Sequence, residues 1–284
     1  MVMGGIPYYL SKMDKGLSLA QNVDKLFFSK NAPLKEEFND LYKALFKNAS
    51  PHIAVVTALA TKSKGLVRKE ILEQTGLADN GAFSTVLEEL ENCGFIRLYE
   101  PFGKARTSED GRQKSATLYQ LIDFYTLFYF NFIKNNRYQD ENFWTTSLNS
   151  PLHNTWCGLS FEKLCLSHLN QIKQALGIWG IQSLACAWRS ETSSPGAQVD
   201  LMIDRKDDTV NLCEIKYAAA EYEITKSYEE SLINKIGVFQ KETRSKKSVM
   251  LTLITTYGLK YNSHSGIVQK QVVLEDLFVP ERVG

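Results

Sequence analysis

The sequence predicts an α+β, multidomain protein: a helical N-terminal segment, a module of three helices and a β-ribbon, then a mixed sheet flanked by helices. Three observations predict it. The 284 residues exceed the roughly 100 to 200 of one ordinary domain. Apolar residues fall at helical spacing in Leu17–Phe28, Leu34–Phe46 and Phe83–Leu90, whereas strand-sized apolar runs follow Ile178. Hydrophobic residues make up 44% and charged residues 23%, a globular balance that excludes a disordered or collagen-like chain. Lys and Arg number 33 against 32 Asp and Glu, so the net charge of +1 gives no global pull on polyanions. Any nucleic-acid surface must then be a local patch.

Taken in order, residues 1–48 form the helical segment. Gly4-Gly5-Ile6-Pro7 reads as a helix end with a glycine stop and a proline break, as if a helix had been cut before it, and Met1 need not be a natural start. Leu17–Phe28 and Leu34–Phe46 follow as helices, with Pro33 marking a first turn.

Residues 49–122 form the second module. Ser50 and Pro51 read as a cap and first-turn pair, Val67–Thr75 is a second helix stopped by Gly76, and Asp79–Cys93 a third. Phe83, Val86, Leu87 and Leu90 give that third helix one buried face. Two strand-like runs then flank a Gly- and charge-rich turn. Three helices and a ribbon are the order of a winged helix, whose third helix enters a DNA groove while the ribbon touches backbone. Glu88, Glu89 and Glu91 would repel phosphate, so DNA contacts fall to Asn80, Ser84 and Thr85 and to the wing cations Lys104 and Arg106. The alternative is that the module packs against neighbouring domains.

Residues 123–150 are an aromatic-rich helical connector. The run Leu118–Ile133 is interrupted by Gln120, Asp123 and Asn131 and falls short of the about 20 apolar residues of a membrane span, so it reads as a buried helix. With no basic, apolar and cleavage regions at the N-terminus, the expected setting is the cytoplasm, with no membrane partner. The five cysteines are odd in number and never spaced CxxC, and the four histidines are scattered, which disfavours disulfides and zinc.

Residues 151–284 carry the chemistry. A helix is expected over Leu152–Ala175, strands over Ile178–Trp188, Val199–Asp204, Val210–Tyr217, Val249–Thr256 and Val272–Leu274, and a helix over Ile224–Thr243. Glu214 and Lys216 are i and i+2 in one strand and so share a face, with Cys213, Ile215 and Tyr217 on the other. The polar stretch Asp204–Asp208 suits a hairpin that sets Asp200 beside Glu214. Two carboxylates held that close repel, and a divalent cation, Mg²⁺ or Mn²⁺ for an all-oxygen site, is the usual cure. The alternative is a pair of hairpin surface charges screened by Lys216. Lys235, Lys241, Arg244, Lys246 and Lys247 form the most basic stretch, read either as a DNA grip or as a solvated helix end.

Asp200, the spacer and Glu214-Ile215-Lys216 resemble the PD-(D/E)xK nuclease superfamily, with Val199 in place of the motif's proline. The resemblance implies a restriction-endonuclease-like mixed sheet. It also implies a further acid on the first helix, matched by Glu162 in GLSFEKL, with Asp200, Glu214 and Glu162 as metal ligands and Lys216 assisting; Lys235 is a looser match. The order GGIPYYL, winged helix, DFYTLFYFNF, GLSFEKLC, GAQVDLMIDR and NLCEIKY is similar to the C-terminal part of a family of prokaryotic AAA-type ATPases ending in a nuclease-like domain. That likeness implies an ATPase-lid-like first segment and an ATPase core as the partner normally attached at the N-terminus. The chain has no GxxxxGK[ST], so no ATP site and no ATPase activity are expected of it, as for a piece of a longer protein. The expected activity is metal-dependent hydrolysis of duplex or branched DNA, the alternative a catalytically weak DNA- or protein-binding scaffold.

Overall fold

The computed structural model describes residues 1–100, 102, 117–134, 140–190 and 192–281. The fold is α+β, and it divides into two compact units, Met1–Leu98 with Gly111–Trp156 and Tyr99–Asp110 with Cys157–Gly284.

In the first unit, Gly4 and Gly5 both have positive φ and lead through Ile6 into α1 (Pro7–Ser11), which Pro7 starts. A Ser18–Gln21 capping box opens α2 (Leu19–Val23), which widens into a π turn over Asp24–Phe28. Next, α3 (Glu37–Leu45) starts later than Leu34, whose N–H is taken by the Leu26 carbonyl at 3.0 Å. The cap of α4 (Ala49–Ala60) is Asn48, so Ser50 and Pro51 lie inside the first turn instead of forming the cap pair. There follow β1 (Leu66–Val67), α5 (Arg68–Thr75) stopped by left-handed Gly76, and α6 (Gly81–Asn92), capped by the Asn80 side chain accepting from Phe83 N–H at 3.1 Å.

The run expected as one buried helix over Leu118–Ile133 divides. Its start is strand, because Tyr119 and Leu118 pair antiparallel with Leu66 and Val67. With β2 (Ile96–Tyr99) and β3 (Leu118–Leu121), this gives a three-stranded sheet in the order β1-β3-β2. Asp123 then caps α7 (Phe124–Phe128), which ends in a π turn over Tyr129–Ile133, and α8 (Phe143–Ser147) follows. The segment boundaries read at 48/49 and 122/123 fall inside this one unit. The reason is its aromatic core: Tyr42 meets Phe95 at 4.7 Å between ring centroids, Phe27 meets Phe128 at 5.1 Å, and Phe128 meets Trp144 at 5.2 Å. Asp24, buried, accepts from the N–H groups of Trp144 at 2.7 Å and Thr145 at 3.0 Å, pinning α8 to the first segment.

In the chain that follows, the helix expected over Leu152–Ala175 breaks at His168 into α9 (Pro151–Ser167), whose residues from Cys157 onward belong to the second unit, and α10 (Leu169–Ala175). Then come β4 (Ser183–Arg189), β5 (Gln198–Arg205), β6 (Thr209–Lys216), β7 (Tyr222–Glu223), α11 (Lys226–Thr243), β8 (Ser248–Thr255), β9 (Leu259–Lys260) and β10 (Lys270–Val273). The main sheet runs β10-β8-β6-β5-β4; β10, β8 and β6 are parallel, while β5 and β4 are antiparallel to their neighbours. The parallel β6–β8 pair needs a crossover, and α11 supplies it. Buried Leu232, Val238 and Phe239 of α11 join Met202, Val210, Leu212, Leu251 and Leu253 of the sheet in one apolar cluster.

Candidate functional site: paired carboxylates on the central strand

Strand β6 sits in the middle of the sheet and is buried from Thr209 to Ile215, as a strand covered on both faces must be. An acid there needs partners. The antiparallel register pairs Leu201 with Cys213, so its next step sets Asp200 opposite Glu214, on the same face. Asp200 Oδ2 accepts the Ile215 backbone N–H at 3.0 Å, which fixes its carboxylate against β6.

Glu214 is 1% exposed. Its Oε2 accepts from Lys235 Nζ at 2.7 Å and from the Tyr228 hydroxyl at 3.3 Å, and Lys216 Nζ stands 3.9 Å away. Tyr228 and Lys235 are i and i+7 on α11 and therefore share the helix face turned to the strand. Lys216 also lies over the Tyr228 ring at 5.3 Å. Glu214 Oε1, in contrast, is buried and accepts no hydrogen bond. Burial raises the Glu214 carboxyl above its ordinary range and the charge of Asp200 adds to the rise, while Lys235 and then Lys216 pull it down; the net direction is upward.

The chemical capability of this group follows from its balance. Two ammonium groups face Glu214 Oε2, Asp200 lies near the same carboxylate, and Glu214 Oε1 has no hydrogen-bond partner among the described residues. A buried acceptor without a partner is costly, and such sites are where a bound group belongs. Among the described residues no three His, Cys, Asp or Glu side chains converge as a metal cage. Mg²⁺, however, is commonly held by one or two carboxylates plus substrate phosphate and water, so the Asp200–Glu214 pair fits it on the strength of the orphan Oε1. Glu162 lies on α9, 3.6 Å from the ammonium of fully buried Lys163. Glu162 and Asp200 both act electrostatically on the buried Cys165 thiol, which lies one turn beyond Glu162 on α9.

The residues behind the site are structural. Cys213 and Cys165 are buried, and burial pushes both thiols up, so neither offers a reactive thiolate at neutral pH. The Tyr217 ring, one residue beyond β6, meets Phe161 of α9 at 6.3 Å.

The expected DNA contacts separate. Lys104 and Arg106 lie outside the described residues. Asn80 spends its side-chain oxygen on the α6 cap, and the Thr85 hydroxyl donates to the Gly81 carbonyl at 3.2 Å; Ser84 lies on the same first turn, half-buried. Lys247 donates to Asp204 and, at 2.7 Å, to the Arg205 carbonyl, so this cation is tied to β5. Lys241, Arg244 and Lys246 are exposed and form no ion pair with described residues. Sequence reading missed Tyr228, whose only signal was its i, i+7 relation to Lys235.

No helix among the described residues is long and apolar enough to cross a membrane. No family model matches the chain, and no curated protein matches it. A crystal structure of a protein of unknown function, AF1548, is similar over 40% of this chain and 64% of its own length, at 10% sequence identity and a TM-score of 0.29.

Proposed function

We propose that the second unit is a metal-dependent DNA phosphodiesterase of the PD-(D/E)xK type. The observation that carries the reading is Glu214: a buried carboxylate opposite Asp200, with one oxygen held by Lys235 and the other without a partner. Asp200 and Glu214 Oε1 would hold Mg²⁺ or Mn²⁺. When bound, the cation supplies neutralisation of the scissile phosphate and activation of water. Lys216, half-buried at the end of β6, presents its ammonium to the charge that develops on phosphorus-bound oxygens. Lys235 and Tyr228 orient Glu214 by gripping Oε2. The order α4-β1-α5-α6-β2-β3 supports a winged-helix reading of the first unit. The likeness to the C-terminal region of an AAA-type ATPase is part of the same proposal.

A second reading has its own observation. Lys235 and Lys216 already neutralise Glu214, so the same fold is compatible with a binding scaffold that needs no cation. Calorimetric titration of the wild type and Asp200→Ala with Mg²⁺ and Mn²⁺, then cleavage assays on linear, branched and single-stranded DNA, separates the two. The nuclease reading expects divalent binding lost in Asp200→Ala and metal-dependent cutting of at least one DNA form. Wild type that binds no divalent ion at millimolar concentration and cuts nothing establishes the scaffold.

A further inference from the structure

Beside the site, α11 borders an open cleft of about 640 Å³ whose other wall is the loop Thr192–Pro195. Asn234, Gly237 and Lys241 are i, i+3 and i+7, one stripe flanking the face that carries Lys235. Arg244 closes the far end. The single acid among the described lining residues, Glu242, is committed to the loop: its Oε1 accepts from the Ser193 N–H at 2.8 Å, the Thr192 hydroxyl at 3.1 Å and the Thr192 N–H at 3.3 Å. Lys241 and Arg244 are exposed and pair with no acid among the described residues. The cleft is thus lined by two unspent cations, serine hydroxyls and an amide, with Pro195 and Val238 as its apolar side chains.

We infer that this cleft binds the sugar-phosphate backbone of a nucleic-acid strand. Its chemistry decides the ligand class. A pocket for a small organic ligand is enclosed and mostly apolar with a few polar groups, the reverse of this lining, whereas cations along an open groove are what tracks a polyanion. Its reach decides chain over lone phosphate. From Asn234 to Arg244 the helix advances roughly 15 Å at about 1.5 Å per residue, several times the size of one phosphate group. Its connectivity decides direction. The loop Thr192–Pro195 leads directly into β5 and Asp200, and Asn234 adjoins Lys235, so a strand lying in the cleft is delivered toward the carboxylate pair. The inference rests on the nuclease reading only for that last point; binding needs no metal and no cleavage.

The test is fluorescence anisotropy of the full chain in chelator, with labelled single-stranded and duplex oligonucleotides of several lengths, between about 50 and 200 mM salt. Lys241→Ala with Arg244→Gly removes both charges without a backbone penalty, because Arg244 has φ +51°, a conformation that favours glycine. The double variant is expected to weaken binding roughly eightfold per lost contact at 0.1 M salt and to flatten the log–log salt slope by about two. Gly237→Glu places an acid in the cleft, where a Cβ at position 237 meets nothing within 4 Å, and is expected to weaken binding while melting like wild type. Lys206→Ala, the loss of an exposed cation in the β5–β6 turn, is expected to leave the slope unchanged.

Wild-type affinity in both cleft variants overturns the inference, as does a wild type that retains no oligonucleotide at low salt. Equal displacement by inorganic pyrophosphate with no dependence on oligonucleotide length overturns the chain assignment in favour of a small phosphate ligand. Loss of cleavage in Asp200→Ala with anisotropy unchanged concerns the nuclease reading alone.

Discussion

Replacing Lys235 with Met tests the electrostatics of the site without touching a carboxylate. The Lys235–Glu214 pair is 2.7 Å long, its acid is 1% exposed and its lysine side chain 21% exposed. Removing one partner of a buried pair costs about 3–5 kcal/mol. Here Lys216 remains 3.9 Å from the same oxygen and Lys235 is partly solvated, so about 2–3 kcal/mol is expected. For a domain of this size that is a fall of roughly 5–10 °C in melting temperature, measured in chelator. Lys235→Arg keeps the charge and should recover most of it. The unmet negative charge in Lys235→Met also makes the site more attractive to a cation, so Mn²⁺ should raise its melting temperature by more than it raises the wild type's. A Lys235→Met protein that melts within a degree of wild type in chelator would refute the ion pair. A deficit that Mn²⁺ leaves unchanged would refute the placement of the cation beside Glu214.

Other predictions concern both units. Asp123 caps α7 through a 2.7 Å bond from Thr126 N–H, yet burial holds its carboxyl above the ordinary value of 3.8. Because the folded state favours the neutral form, its stabilising contribution is complete below 3.8 and is lost as pH rises through the raised folded value. Asp123→Asn retains the cap acceptor and should therefore melt at or above wild type near neutral pH, with the gap closing as pH falls toward 3.8; a pH-independent gap would sink this account. Gly65→Ala should cost about 2–4 kcal/mol in denaturant unfolding, since Gly65 has φ +91° and a Cβ there would lie 2.6 Å from the Tyr119 carbonyl oxygen; an unchanged midpoint contradicts it. Lys216→Ala and Glu214→Gln should each abolish metal-dependent cleavage while circular dichroism stays that of wild type, and residual cutting above a hundredth of wild type counts against their roles.

Much of this was legible in the chain because local patterns sufficed. The i, i+3, i+4, i+7 stripe of α6 buries Phe83, Val86, Leu87 and Leu90 as its spacing requires. The alternation in Cys213–Lys216 put Glu214 and Lys216 on one face, and the polar turn before it brought β5 alongside in a register that opposes Asp200 to Glu214. What resisted reading was long-range. Asp24 reaches Trp144 and Thr145 across the first unit, and nothing near Asp24 in sequence announces it, so segments separable on paper share one aromatic core. The break at His168 was hidden inside continuous helical spacing. Lys235 and Tyr228 became site residues only through the crossover that lays α11 over β6.

The same long-range pairing decides which cations remain available to a polyanion. On paper Lys241, Arg244, Lys246 and Lys247 are one basic cluster. In the fold Lys247, about a quarter exposed, spans the Asp204 carboxylate and the Arg205 carbonyl, joining the start of β8 to the end of β5, whereas Lys241 and Arg244 have no such partner among the described residues. A cation already paired releases little by meeting phosphate, because its partner must first be given up. Lys247→Ala should then cost about 1 kcal/mol of stability through the lost charge-assisted hydrogen bonds, a fall of roughly 2–4 °C, while the salt slope of oligonucleotide binding stays that of wild type. Lys241→Ala should do the opposite, leaving the melting temperature in place and lowering the slope by about one. If Lys247→Ala flattens the slope as Lys241→Ala does, the ion pair to Asp204 does not hold in solution and the basic stretch acts as one undivided patch.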